Sequence, residues 1–292
     1  METGHLIQGI VAGCIYALAG ISLNILYRPT YTFNFAQGSL IMLGAMVCAS
    51  LLSIAHMPWY AAALLAALAV TALSLLAYGV AIAPIIKRSG HGAGWIISTL
   101  AVSLIIDDAV GKFFGADPKQ VNPPPPFSTQ AHEFGGVQIS SYQVLVLVFT
   151  ALIVAATGWF YARRTGKAIM AVAEDRDAAL LRGIDPGRLS MLSFAVGGLL
   201  AATTGILAAP MMYASVGLGP LLLIKGFEAV AIGGVGSNRG AVIGGCLLGI
   251  VEAIGSAMLS PGYQSAVTFV VVLAVLLLRP QGLFGNTTMR TI

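Results

Sequence analysis

A few ionisable residues of this 292-residue sequence fall inside long apolar runs, and they are the first candidates for function. Lys225, Glu228 and Glu252 are of this kind. A charge in such a run is costly if the run sits in lipid, so each one implies a partner or a task. Lys225 and Glu228 stand three residues apart and share a helix face, where they either neutralise one another or line a polar route. Glu252 has no oppositely charged neighbour in sequence, so it is protonated, hydrogen-bonded or paired with another helix. Asp107 and Asp108 lie deep in a further run, with Lys112 close enough to pair locally. Asn34 and Gln37, followed by Gly38, open another run. Their neutral side chains can hydrogen-bond a zwitterion without burying charge, although Asn34 serves equally well as a helix cap. Gly233, Gly234 and Gly236 interrupt the run that carries Lys225, and a broken helix frees backbone groups to face a solute. Nothing resembles a catalytic constellation. The four histidines, His5, His56, His91 and His132, are far apart, and Cys14, Cys48 and Cys246 have no metal-ligand spacing. No metal and no cofactor is expected.

One polar stretch, 163–188, is dense in charge: Arg163, Arg164, Lys167, Glu174, Asp175, Arg176, Asp177, Arg182 and Arg188. Ala168 to Leu181 has helix-forming composition, Gly183 can end the helix, and Pro186 lies just beyond. A short charged helix bounded in this way suits docking of a cytoplasmic partner or, with less consequence, a solvated loop.

Apolar residues make up 58% of the chain and charged residues 9%, too little charge to solvate a globular surface of this length. The apolar residues come in blocks near 6–27, 34–54, 59–86, 93–115, 141–162, 189–213, 221–237, 240–260 and 263–278. A span takes about 20 such residues, so the fold class is an all-α, polytopic integral membrane protein of about eight or nine transmembrane or re-entrant helices. The 34–54 and 221–237 blocks, with their polar or glycine breaks, read as broken or re-entrant. The N-terminus lacks a basic start and a small-residue cleavage site, so the first block is expected to stay as a span. Gly9, Gly13 and Ala17, and Gly236, Gly240 and Gly244 with Gly245 and Gly249, recur every four residues, the spacing that lets helices pack closely in lipid.

The basic residues set the orientation. With 163–188 placed in the cytoplasm, the Lys87–Arg88 loop, Arg28, Arg239 and the tail with Arg279 and Arg290 fall inside. The loop 116–140, with Pro123 to Pro126, falls outside. The N-terminus is then external, or internal if one doubtful block is re-entrant. The polar stretches are too short for a soluble domain, so 1–292 reads as a single transmembrane domain. The net charge of +4 is spread over loops rather than gathered on a soluble face, which excludes a nucleic-acid partner and leaves membrane lipid as the surroundings. No nucleotide-binding loop is present, so any ATP-driven step belongs to another chain.

Asp177-Ala178-Ala179, with Gly183 four residues on, resembles the cytoplasmic "EAA" loop of ABC importer permeases, with Asp in place of Glu. The stretches Asn34-Phe35-Ala36-Gln37-Gly38, GGVGSNRGAVIGG at 233–245 and RPQGLFG at 279–285 extend the likeness from about residue 6 to 285. Together they resemble the LivH-like permease subunits of branched-chain amino acid ABC transporters. The resemblance implies a multi-pass protein of the bacterial inner or plasma membrane that works by alternating access. It also implies three partners: ATP-binding subunits, a second permease subunit, and an external or periplasmic solute-binding protein. Glu174, Asp177, Ala178, Ala179 and Gly183 are then the ATPase-docking residues, and Asn34, Gln37, Gly38, Gly233, Gly234 and Gly236 are candidates for the solute path. Branched-chain or other hydrophobic amino acids are the implied cargo, with urea, short amides or small organic acids as alternatives within the same class. A stand-alone channel or ion-coupled secondary transporter is the rival of another class.

Overall fold

The computed structural model describes residues 3–85, 94–134, 137–258 and 261–285. The expectations placed on Lys87, Arg88, His91 and Arg290 lie outside the described residues. Helices dominate: α1 (Thr3–Thr30), α2 (Gln37–Ser53), α3 (Trp59–Ala77), α4 (Gly94–Phe114), α5 (Ser141–Ala162), α6 (Arg164–Glu174), α7 (Arg176–Leu181), α8 (Pro186–Met212), α9 (Leu218–Gly233), α10 (Asn238–Met258) and α11 (Gln264–Leu278). Each of the nine apolar blocks becomes one helix. Five of these, at Gly4–Thr30, Trp59–Ile85, Ser141–Ala162, Pro186–Met212 and Asn238–Met258, are long and apolar enough to cross a bilayer. The two blocks read as broken give the short helices α2 and α9, of 17 and 16 residues.

The chain divides into two compact units. One comprises residues 1–24, 125–154 and 224–292. Here α1 and α10 meet backbone to backbone. A Cβ built on Gly9 would lie 2.5 Å from the Gly249 carbonyl oxygen, and one on Gly13 would lie 2.6 Å from that of Gly245. Side chains at these positions would hold the helices apart, so the four-residue glycine spacing is used for packing. Gly244 against Ala229, and Gly240 against Gly233, join α10 to the end of α9 in the same way. Two strands, β1 (Ala131–Phe134) and β2 (Val137–Ser140), form an antiparallel hairpin that pairs Ala131 with Ser140. Its base is pinned where the Ser128 N–H donates to Ser141 Oγ at 2.8 Å. The prolines suggested only an extended path here; the hairpin is an addition to it.

The other unit comprises residues 25–124 and 155–223. Its axis is α8, packed against both α2 and α3. Gly205 lies directly under the Ile41 carbonyl, and a Cβ on Gly44 would fall 2.7 Å from Ala202 Cα. Ser74 donates from its hydroxyl to the Phe194 carbonyl at 2.8 Å, tying α3 to α8 with a polar group that is fully buried. The last turn of α3 widens into a π-helical segment, Tyr78–Ile82. There Leu26, Ile82 and Phe194 form a buried cluster, and the Tyr78 ring packs on Phe194 at 4.6 Å. A wide turn of this kind is absent from any apolar periodicity and was not anticipated.

Candidate functional site

The intramembrane charges come together. Lys225 Nζ lies 3.0 Å from Glu228 Oε2 on its own helix and 2.7 Å from Glu252 Oε1 on α10. It also donates to Thr268 Oγ1 on α11 at 3.2 Å. The second oxygen of Glu252 accepts from the Tyr16 hydroxyl at 2.7 Å and from Gln264 Nε2 at 3.3 Å. Lys225 is therefore fully used as a three-fold donor, and both oxygens of Glu252 are engaged. Lys225 and Glu252 are buried, whereas Glu228 keeps a side chain 14% exposed. The local Lys225–Glu228 pair was legible in the sequence. The partners of Glu252 were not, since Tyr16 lies 236 residues away. Asp108 and Lys112 also pair, at 2.7 Å, on an exposed face of α4.

Asn34 and Gln37 are both buried, at 3% and 0% exposure. Asn34 does not cap α2; the N-cap position is Ala36, whose N–H donates to Asn34 Oδ1 at 3.1 Å. Asn34 Nδ2 reaches Gln37 Oε1 at 3.4 Å, and Gln37 Nε2 donates to the Gly197 carbonyl of α8 at 2.8 Å. Gly38 completes this corner, since a Cβ there would lie 2.6 Å from the Gly219 carbonyl oxygen. The two amides thus lock the entry of α2 onto α8.

The glycine break is a turn held from two sides. Gly234 and Gly236 have φ of +102° and +79°, a region open to glycine and strained for other residues. Asn24, in the body of α1, accepts from the Gly236 N–H at 2.9 Å and donates to the Ser237 carbonyl at 3.1 Å. The RPQGLFG stretch folds back onto the same turn: the Leu283 and Phe284 N–H groups donate to the Ile232 and Gly233 carbonyls at 2.8 and 3.0 Å. These bonds satisfy carbonyls that the end of α9 leaves open. A Cβ on Gly234 would lie 2.5 Å from the Gly285 nitrogen, so two stretches singled out separately in the sequence form one contact. Asn24 was missed. Its only signal was an amide inside an otherwise apolar run.

The loop 163–188 folds as two helices rather than the one expected over Ala168 to Leu181. Asp175 adopts an extended conformation (φ −155°, ψ 109°) that ends α6. Its carboxylate then caps α7, accepting from the Asp177 and Ala178 N–H groups at 3.0 and 2.9 Å. An aspartate with free N–H groups two and three residues ahead competes with helix continuation, which is why the break occurs there. Gly183 takes a left-handed φ of +79°, as expected, and nothing lies within 4 Å of where its Cβ would be. Asp185 repeats the capping device for α8, with Pro186 in the first turn. Glu174, Asp177 and Gly183 are exposed and Ala178 half-buried, while Ala179 is buried within the chain. At the tip, Leu180 is 52% exposed and Leu181 is 91% exposed.

Tightly packed apolar helices, five of them long enough to cross a bilayer, and a polar cluster buried among them define a multi-pass, all-α membrane protein. The family pattern described as "Branched-chain amino acid transport system / permease component" matches residues 5–276, and the chain belongs to this family. It is 32% identical to the high-affinity branched-chain amino acid transport system permease protein BraD of Pseudomonas aeruginosa, over 97% of this chain and 95% of the relative. It is 31% identical to LivH of Escherichia coli K12 over the same shares. It is 27% identical to a probable LivH of Methanocaldococcus jannaschii over 94% and 90%. Among solved structures, PsaBC from Streptococcus pneumoniae in complex with Fab shares the fold, with a TM-score of 0.51 at 11% identity, covering 95% of this chain and 91% of that one. The chain is thus the permease subunit of an ABC importer, a multi-pass protein of the cell membrane.

Proposed function

We propose that the cargo is a branched-chain or other hydrophobic amino acid. We propose further that ATP-binding subunits, a second permease subunit and an external solute-binding protein complete the importer. What carries the substrate reading is the end-to-end similarity to permeases named for branched-chain amino acid transport. The ATPase reading is supported by the elbow of α6 and α7. It presents the acidic residues Glu174 and Asp177, the left-handed Gly183 and an exposed apolar tip at Leu181. In this reading 163–188 and Arg279 face the cytoplasm and 116–140 faces outside. Hydrolysis belongs to the partner chains, and the 1–292 unit works as one permease domain. Alternating access then opens the path near Asn34, Gln37, Gly38 and the Gly233–Gly236 turn.

The test is reconstitution of the full importer in proteoliposomes with ATP inside and the binding protein outside. ATP-dependent uptake of radiolabelled leucine, isoleucine and valine is expected. Uptake of urea, short amides or amine-free organic acids, with no amino acid uptake, overturns the substrate reading.

A further inference from the structure

We propose that Glu228 lines the solute path and holds the ammonium group of the cargo. The inference rests on the amino acid reading above and narrows it to a solute that carries a positive charge.

Three observations converge on this residue. The first is the charge count. The cluster has two carboxylates and one ammonium, Lys225, and the other described cations of this unit's helices α10 and α11, Arg239 and Arg279, sit at helix ends. The cluster is therefore one positive charge short. The second is the distribution of bonds. Glu252 uses both oxygens, on Lys225, Tyr16 and Gln264. Lys225 is saturated by Glu228, Glu252 and Thr268. Glu228 gives only Oε2, so its second oxygen is the one acceptor of the three residues left without a partner among the described residues. The third is the face on which it stands. Ile224 is 56% exposed, and Glu228 and Ala231, both partly buried, follow it on the same face of α9 at four- and three-residue intervals. A partly exposed carboxylate on such a face is costly against lipid. It belongs beside a polar passage, with a cation as its occupant. An amino acid brings that cation as its ammonium group. A neutral amide brings none, and an organic acid brings the wrong sign.

The experiment uses the complete importer in proteoliposomes, with Glu228→Gln, Glu228→Asp and, as a control charge removal on the exposed face of α4, Asp108→Asn. Uptake of leucine at saturating binding protein is read beside ATP hydrolysis stimulated by the binding protein. Glu228→Gln is expected to lower uptake at least about tenfold while stimulated hydrolysis stays within about twofold, because the lost contact is to solute and not to the motor. Glu228→Asp keeps the charge and is expected to recover a substantial part of the uptake, and Asp108→Asn to behave as wild type. Unchanged uptake in Glu228→Gln overturns the inference, as does equal loss in Gln and Asp. A wild-type importer that takes up no amino acid refutes the cargo reading instead, so the two failures are distinct.

Discussion

Replacing Lys225 by Met isolates the energetics of the buried cluster. The side chains are similar in length, so the change removes the charge and its donors while largely keeping the packing. Three contacts disappear: 2.7 Å to Glu252, 3.0 Å to Glu228 and 3.2 Å to Thr268. Side-chain exposure is 10% for Lys225 and 5% for Glu252, so water cannot take the place of the ammonium. Removing one member of a buried pair costs about 3–5 kcal/mol, since the other charge stays behind without compensation. Glu252 keeps its bonds from Tyr16 and Gln264, which favours the lower end, about 3 kcal/mol. At roughly 2–4 °C per kcal/mol for a chain of this size, the apparent Tm of the purified permease should fall by roughly 6–12 °C. The double variant Lys225→Met/Glu252→Gln removes the more deeply buried of the two stranded carboxylates, leaving Glu228, and should recover part of that loss, giving a non-additive cycle. A Tm within about 2 °C of wild type for Lys225→Met, or strict additivity in the double variant, would refute the view that Lys225 neutralises Glu252.

Gly183→Val has space within the chain but strains a backbone at φ +79°. It should insert normally yet copurify with far less ATPase subunit, and undiminished copurification would remove the elbow as the docking contact. Thr129→Cys and Leu181→Cys should react with an impermeant thiol reagent from opposite sides of the membrane; labelling from one side only would overturn the orientation. Gly205→Leu drives a side chain into the Ile41 carbonyl, so α2 and α8 must separate. Overpacking of this kind typically costs about 1–3 kcal/mol, and a permease of unaltered Tm would show that the contact is not close in solution.

The nine apolar blocks were readable because the bilayer imposes a length and an exclusion of charge that any window of sequence registers. The glycine spacing was readable as packing for a related reason: small residues at four-residue intervals have few other uses in lipid. The joint of Gly9 and Gly13 with Gly249 and Gly245 bears this out. What escaped was contact between residues distant in sequence. Glu252 announced a missing partner but not Tyr16, and RPQGLFG gave no sign that it closes the turn at Gly234. The break at Asp175 was missed for a local reason. Helix-forming composition on both sides concealed a capping aspartate, whose effect depends on the backbone it finds. The site residues were therefore legible as types, and their couplings only in three dimensions.

The joint between α1 and α10 also limits how this permease can move. Its glycine and alanine positions meet the opposing backbone every four residues, with longer side chains between them. A shift of α10 along α1 by a single residue would bring Cys14 or Cys246 into slots sized for hydrogen. The pair therefore behaves like meshed gear teeth, in register or disengaged, with no stable intermediate setting. A stroke delivered to one of these helices tilts both as a single lever, and the gating motion of this part of the molecule must be sought in the joints at the lever's ends rather than along its length.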